Sequence, residues 1–357
     1  MKLHEDKTAF RVLLERIHER TGYRTDVMEK DYYVVLILKE LAEKQSAGLP
    51  AYFKGGTALY KALRTTNRFS EDIDLSVDTR DCSRSQNDRR LEQAAKKYST
   101  LDRDVNAGRT NRSEIISVFT YEPITAYDAS DTLQRFGKLK IEATSFTISE
   151  PVESLEVSAM VYDLASEEEK TILRDRYDVR PFSVLTITME RVFIDKLFAA
   201  EAYVRRSSEP QRAFEAAKHI YDLAVMFRQP KIQRLLSDES QMKSLLDIRM
   251  EEEAGRLDGI PGIKPAEFTF FDSVPSDEAV KKAYSIMQAQ YVLRPEDRIE
   301  YDDAMTALHG IRDRLTQNLA WAQYKPSIKL MLRINEEKAR QINQASQKVK
   351  TKPDHER

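Results

Sequence analysis

An α+β fold is what this sequence predicts: a mixed β-sheet flanked by helices, followed by a mostly helical C-terminal portion. Three observations predict it. Two helix-patterned segments open the chain. Short alternating or β-branched runs then cluster between residues 51 and 188. From about Met189 onward apolar residues recur at helical spacing and strand-like runs cease.

The elements follow in order. Lys7 to about Arg20 carries Phe10, Leu13, Leu14 and Ile17 at helical spacing. DVMEKDYYVVLILKELAEK, Asp26 to Lys44, reads as a second helix, with Asp26 as N-cap and Glu29 as its capping-box partner. The run YYVVLIL alone would suit a strand; its charged flanks and the length of the segment favour the helix. AYFK (Ala51–Lys54), DIDLSV (Asp72–Val77), EIISVFTYEP (Glu114–Pro123), KLKIEATSF (Lys138–Phe146), SLEVSAMVYD and SVLTIT read as strands. RSQNDRRLEQAAKKYST between them reads as a helix from about Ser85 to Tyr98.

In the second half, MERVFIDKLFAAEAYVRR and RAFEAAKHIYDLAVMFRQ read as strong helices. KIQRLLSDESQMKSLLDIRMEEEAGRL follows, then the Pro/Gly loop GIPGIKPAEF, then helices near Asp277–Tyr291 and Tyr301–Tyr324. These textures divide the chain into 1–188, 189–347 and a polar tail at 348–357.

Composition narrows the function classes. A length of 357 residues suggests two domains. A formal net charge of -2 announces no nucleic-acid partner by overall basicity, though a local basic face stays open. The single cysteine, Cys82, allows no disulfide framework and no multi-cysteine zinc site. The five histidines form no close pair at metal-ligand spacing. The N-terminal stretch is charged throughout, unlike a signal peptide, and no apolar run nears the ~20 residues of a membrane span. A cytoplasmic protein with no membrane partner is expected.

The stretch FKGGTALYKALRTTNRFSEDIDLSV, Phe53 to Val77, carries the chemistry. Gly55-Gly56-Thr57 at a helix start lets backbone approach a ligand, and free N–H groups there suit a phosphate. A tight turn with no ligand is the plainer reading of Gly-Gly alone. Asp72 and Asp74, two apart in a strand, project from the same face. Like charges so close call for a cation between them, and magnesium takes carboxylate and phosphate oxygens together. An edge-strand aspartate facing solvent is the alternative. Glu142 is the candidate third carboxylate, as a metal ligand or as a base for an incoming hydroxyl. A surface glutamate paired with Lys138 or Lys140 is the alternative. Glu71 is expected to point away from Asp72. Arg68 and Ser70 either touch the γ-phosphate or shape the loop.

These residues resemble the AbiEii/AbiGii-type toxin nucleotidyltransferases of the DNA polymerase β-like superfamily. FKGGTALYKAL and RFSEDIDLSV carry the resemblance most specifically. EKDYYVVLIL (Glu29–Leu38), RVFIDKLFAA (Arg191–Ala200) and KHIYDLAVMF (Lys218–Phe227) add to it, so that it covers about 26 to 228. The family often has an acidic residue three before the last motif's final aspartate; here that position is His219.

The resemblance implies that 1–188 is a nucleotidyltransferase domain and that 189–347 completes its active-site cleft. It implies that Gly55, Gly56 and Thr57 hold the nucleotide's phosphates, and that Asp72 and Asp74 bind Mg2+ in a two-metal site. It implies that Lys196 contacts phosphate and that Asp222 sits with it. A purely structural Lys196–Asp222 ion pair is the alternative.

It further implies transfer of nucleotides from an NTP to an RNA, expected to be the tRNA acceptor end, which blocks translation. The setting would be a toxin–antitoxin or abortive-infection phage-defence pair with a cognate antitoxin. Nucleotidylation of a protein or small molecule, and a nucleotide-binding interaction module without turnover, are the alternatives. Arg84, Arg89, Arg90, Lys96, Lys97, Arg205 and Arg206 are candidates for positioning an RNA backbone.

Overall fold

The computed structural model describes residues 1–66, 68–80, 82–126, 136–255 and 263–328, with 330–332, 335–336 and 339 beyond. The predicted tail at 348–357 and the first four residues of the GIPGIKPAEF loop lie outside them. Among the described residues, no helix is long and apolar enough to cross a membrane.

Two compact units divide the chain. The first holds residues 1–192 and 285–299, the second 193–284 and 300–357.

The first unit is built on one seven-stranded mixed sheet. Its strands are β1 (Ala51–Lys54), β2 (Ile73–Val77), β3 (Asp102–Asn111), β4 (Glu114–Thr120), β5 (Lys138–Thr144), β6 (Val152–Val157) and β7 (Phe182–Ile187), in the order β3-β4-β5-β2-β1-β7-β6. β2 runs parallel to β5 and antiparallel to β1, and β1 runs parallel to β7. The helices of this unit are α1 (Lys7–Thr21), α2 (Thr25–Ser46), α3 (Gly55–Lys61), α4 (Arg84–Ala95), α5 (Met160–Asp163) and α6 (Glu167–Tyr177).

Period-two alternation gives the sheet two unlike faces. Phe53, Leu75, Ala143 and Ile115 lie side by side across β1, β2, β5 and β4 and are buried. Together with Ile73, Val77 and Ile141 they join one core with Phe10, Leu14, Ile37 and Leu91 of α1, α2 and α4. At roughly 25 cal/mol per Å² of apolar surface, this continuous burial is the main term holding the unit together. The alternate residues, Lys54, Asp74, Glu142 and Ile116, form the next row across the same strands and are half-buried.

Helix α2 departs from a surface helix in one respect. Its Glu29, Lys30 and Asp31 are all buried, and each has a distant partner. Glu29 accepts from the backbone N–H groups of Ile124 and Thr125 at 2.8 and 3.0 Å. Lys30 pairs with Glu71, ahead of β2. Asp31 pairs with Lys61 of α3 at 2.7 Å and accepts from Met160 N at 2.6 Å. The charges that flank YYVVLIL are therefore internal ties that lock α2 to the segments around β2, α3 and α5.

Three expectations are corrected. The predicted Asp26/Glu29 capping box does not form: α2 starts at Thr25, and Glu29 serves the 124–125 backbone instead. SLEVSAMVYD is a strand only through Val157 and then turns into α5. The ten-residue β3 and the helix α6 had no counterpart in the sequence reading. β3 is an edge strand exposed over most of its length, so it shows no apolar alternation to detect.

The second unit is helical. It contains α7 (Met189–Val204) from Phe193 onward, α8 (Pro210–Phe227), α9 (Pro230–Leu235), α10 (Glu239–Gly255), α11 (Phe270–Ser273), α12 (Glu278–Tyr291) up to Tyr284, α13 (Tyr301–Gln317) and α14 (Leu319–Ala322). Phe198, Phe268 and Trp321 meet edge to face in its core, with ring centroids 4.9 and 5.3 Å apart.

Candidate active site

The chain leaves β1 at Lys54, turns through Gly55 and enters α3, while the incoming segment Ser70–Asp72 lies alongside. Gly55 has φ +80, a left-handed conformation natural to glycine, and a Cβ there would overlap the Asp74 carboxylate. The glycine thus makes room for the aspartate. A Cβ on Gly56 would stand 3.0 Å from both Arg68 Nη2 and Ser70 Oγ. Thr57 is fully buried; its hydroxyl donates to the Asp72 carbonyl and shares a 2.9 Å hydrogen bond with Ser70 Oγ. Thr57 and Ser70 therefore staple the glycine turn to the strand that bears the aspartates. Arg68 is buried, and its segment is held to residues 291–292 through a bridge to Val292 and a 2.7 Å bond from Phe69 N to Tyr291 O.

Pairing brings the charged side chains together. Asp74 stands opposite Lys54 on one side and Glu142 on the other. Lys140, two before Glu142, reaches Asp72 Oδ2 at 2.8 Å and Glu142 Oε2 at 3.8 Å. Lys54 Nζ donates to Thr144 and Thr147 hydroxyls at 3.2 and 3.4 Å. Burial, the Glu142 charge and then the Asp72 charge push Asp74 up to about 7, against the pull of Lys140 and Lys54. Lys140 is held above the ordinary lysine range: burial pulls it down, but Asp72, then Asp74 and Glu142, outweigh that. The site is thus a packed set of three carboxylates with two ammonium groups, Lys140 and Lys54, on the open face of the sheet.

The donor set fits a divalent cation in kind: clustered carboxylate oxygens, with one aspartate close enough to another negative group to resist ionisation. As they stand, no three His, Cys, Asp or Glu side chains among the described residues form a metal-holding group. Lys140 lies among them instead. Lys140, which the sequence suggests as a partner for Glu142, has Asp72 as its main partner. Glu71, expected to point away from Asp72, is buried against Lys30.

In the second unit, Lys196 and Asp222 form a 2.7 Å ion pair between α7 and α8, with Asp222 fully buried and the Lys196 side chain 8% exposed. Asp195, next to Lys196, faces elsewhere and pairs with Arg249 at 3.0 Å. His219, where the resemblance favours an acid, stacks on Tyr203 with ring centroids 5.3 Å apart.

Most cations named for an RNA backbone have local partners. Arg205 pairs with Glu201, Arg206 with Glu209 and Lys96 with Glu92, and Arg90 donates to the Asp78 carbonyl. Arg89, Arg90 and Lys97 line a cavity of about 530 Å³ together with Lys44 and residues 47–50. Residues 47–50 of that lining lead directly into β1, so the cavity lies at the opposite end of the strand from Gly55.

Sheet and site together define a class: an α+β protein whose sheet carries a carboxylate cluster beside a glycine turn. The family model described as nucleotidyl transferase AbiEii toxin, type IV toxin–antitoxin system, matches residues 36–308. This is most of the chain, and the chain belongs to that family. The match starts later than the sequence resemblance and reaches well past residue 228. No curated protein matches. Among solved structures, JHP933 from Helicobacter pylori is similar over 83% of this chain and 95% of its own, at 14% identity and a TM-score of 0.38.

Proposed function

We propose that this toxin-family nucleotidyltransferase moves nucleotides from an NTP to an RNA, with the tRNA acceptor end as target, and that Mg2+ supports the transfer. The observation that carries the proposal is the register of β1, β2 and β5. It sets Asp72, Asp74 and Glu142 beside the Gly55–Gly56 turn on one open face. In this reading Asp72 and Asp74 hold the cation, which supplies charge neutralisation at the transferring phosphorus when bound. Glu142 holds the cation with them or accepts the acceptor's hydroxyl proton. The glycine turn receives the phosphates through its backbone, while Thr57 and Ser70 fix its shape and keep Asp74 aimed at it.

Lys196 is assigned to a phosphate of the nucleotide, with Asp222 orienting its ammonium; the family resemblance supports this assignment. The acceptor assignment rests on the family resemblance, because the basic cavity with Lys44, Arg89, Arg90 and Lys97 also holds Glu92 and lies at the far end of β1 from Gly55. A cognate antitoxin is the expected partner, and phage defence the setting. The test incubates the protein with each α-labelled NTP, Mg2+ and whole-cell extract, then separates RNA from protein. Label in a tRNA-sized band supports the reading. Label on protein alone, or on small molecules alone, contradicts the acceptor assignment.

A further inference from the structure

The open face already carries a cation of its own. Parallel pairing sets Ile73 beside Ile141 and Asp74 beside Glu142. One residue earlier on each strand come Asp72 and Lys140. The two strands therefore present a square with Asp72 beside Lys140 and Asp74 beside Glu142. Three corners are carboxylates and one is an ammonium. That ammonium lies 2.8 Å from Asp72 and 3.8 Å from Glu142, on a side chain only 25% exposed. Among the described residues, the Asp74 carboxylate makes neither a hydrogen bond nor an ion pair, and it is wedged against Gly55.

We propose that Lys140 is a resident counter-ion that keeps bare divalent cations off the Asp72–Asp74–Glu142 edge and must swing aside for a metal to bind there. The inference rests on the reading of those carboxylates as the cation-binding edge. Its physical content is competition. An ammonium and a divalent ion need the same carboxylate oxygens, and two cations within a few Å of each other repel. Lysine suits the role because its charge sits at the end of a flexible four-carbon stem, so it can leave without moving the strand. A bare ion has to evict the ammonium against that repulsion. An ion arriving on a nucleotide brings phosphate charge that offsets the repulsion and offers the displaced ammonium a new partner. The edge therefore loads with metal and nucleotide together and stays stable when neither is present.

The experiment measures Mn2+ binding by the loss of the free-ion electron paramagnetic resonance signal, with no acceptor present. The proteins are wild type, Lys140→Met, Lys140→Gln and the double variant Asp72→Asn/Asp74→Asn, each checked by circular dichroism. Wild type is expected to bind Mn2+ weakly, and both Lys140 variants at least about tenfold more tightly. A non-hydrolysable NTP analogue should tighten Mn2+ binding by wild type more than by either Lys140 variant. In chelator, loss of the ammonium should lower the melting temperature of the Lys140 variants, and Mn2+ should raise it more in them than in wild type. Equal or weaker Mn2+ binding by both Lys140 variants overturns the inference while leaving the cation-binding edge intact. Mn2+ binding by Asp72→Asn/Asp74→Asn as tight as wild type, or no binding by any protein, overturns the edge itself and the inference with it.

Discussion

Asp74→Asn isolates the electrostatic cost of the carboxylate cluster. Burial, Glu142 and Asp72 raise Asp74 to about 7 from an ordinary 3.8. The folded protein therefore holds this proton more tightly than the unfolded chain. Stability is lost as pH rises between those values, because the unfolded chain releases the proton first. Each pKa unit is worth about 1.4 kcal/mol, so the gap amounts to at most about 4 kcal/mol. Asp74 is partly open to solvent and shares its shift with neighbouring carboxylates, which lowers the expectation to roughly 2–3 kcal/mol.

Asparagine carries no charge at any of these pH values. Asp74→Asn should match wild type near pH 4 and exceed it by that amount above pH 7. At about 2–4 °C per kcal/mol for a domain of this size, the gap should reach roughly 4–12 °C in melting temperature. Thermal unfolding in chelator across pH 4.5 to 8.5 reads it. Glu29 and Asp31, whose burial also raises them, are present in both proteins and cancel in the difference. A difference curve that is flat with pH, or that favours wild type as pH rises, refutes the reasoning.

Gly55→Ala should cost about 1–2 kcal/mol for its left-handed backbone and more for displacing the Asp74 carboxylate; nucleotide transfer should fall with it, and wild-type activity in a stable variant would contradict the packing argument. Lys61→Met should destabilise by about 3–5 kcal/mol, because it leaves Asp31 buried without its ammonium; urea unfolding checks this, and a loss under about 1 kcal/mol would mean the pair is solvated. Lys196→Met should destabilise by removing the ammonium from the fully buried Asp222. Adding Asp222→Leu should restore most of that stability but none of the nucleotide transfer, and recovered transfer in the double variant would make the pair purely structural.

Legibility followed the local pattern. β1, β4 and β5 were readable because each alternates between a core face and a more open one, β2 and β7 because short alternating or β-branched runs mark them, and Asp72 and Asp74 were visible as same-face carboxylates from that spacing. α1 was readable down to its four buried apolar residues. β3 was not, since an exposed edge strand has no apolar face. The roles of Glu29, Lys30 and Asp31 were hidden because their partners, Thr125, Glu71 and Lys61, are set by chain folding; a helical pattern alone suggested a cap. Lys140 was hidden for a related reason. That it meets Asp72 follows from the parallel pairing of β2 with β5, a long-range fact that neither strand's sequence states. A charged residue inside an otherwise apolar run, as in EKDYYVVLIL, was the available signal for a buried tie.

If the β2–β5 carboxylates perform the transfer, removing one of them must abolish nearly all of it. The most direct measurement is single-turnover transfer of α-labelled NTP to tRNA by wild type, Asp72→Ala and Asp74→Asn at saturating Mg2+, with folding confirmed for each. Transfer by both variants should fall by roughly a thousandfold or more, or about 4 kcal/mol of lost transition-state stabilisation. Transfer within a few-fold of wild type in either folded variant would contradict it.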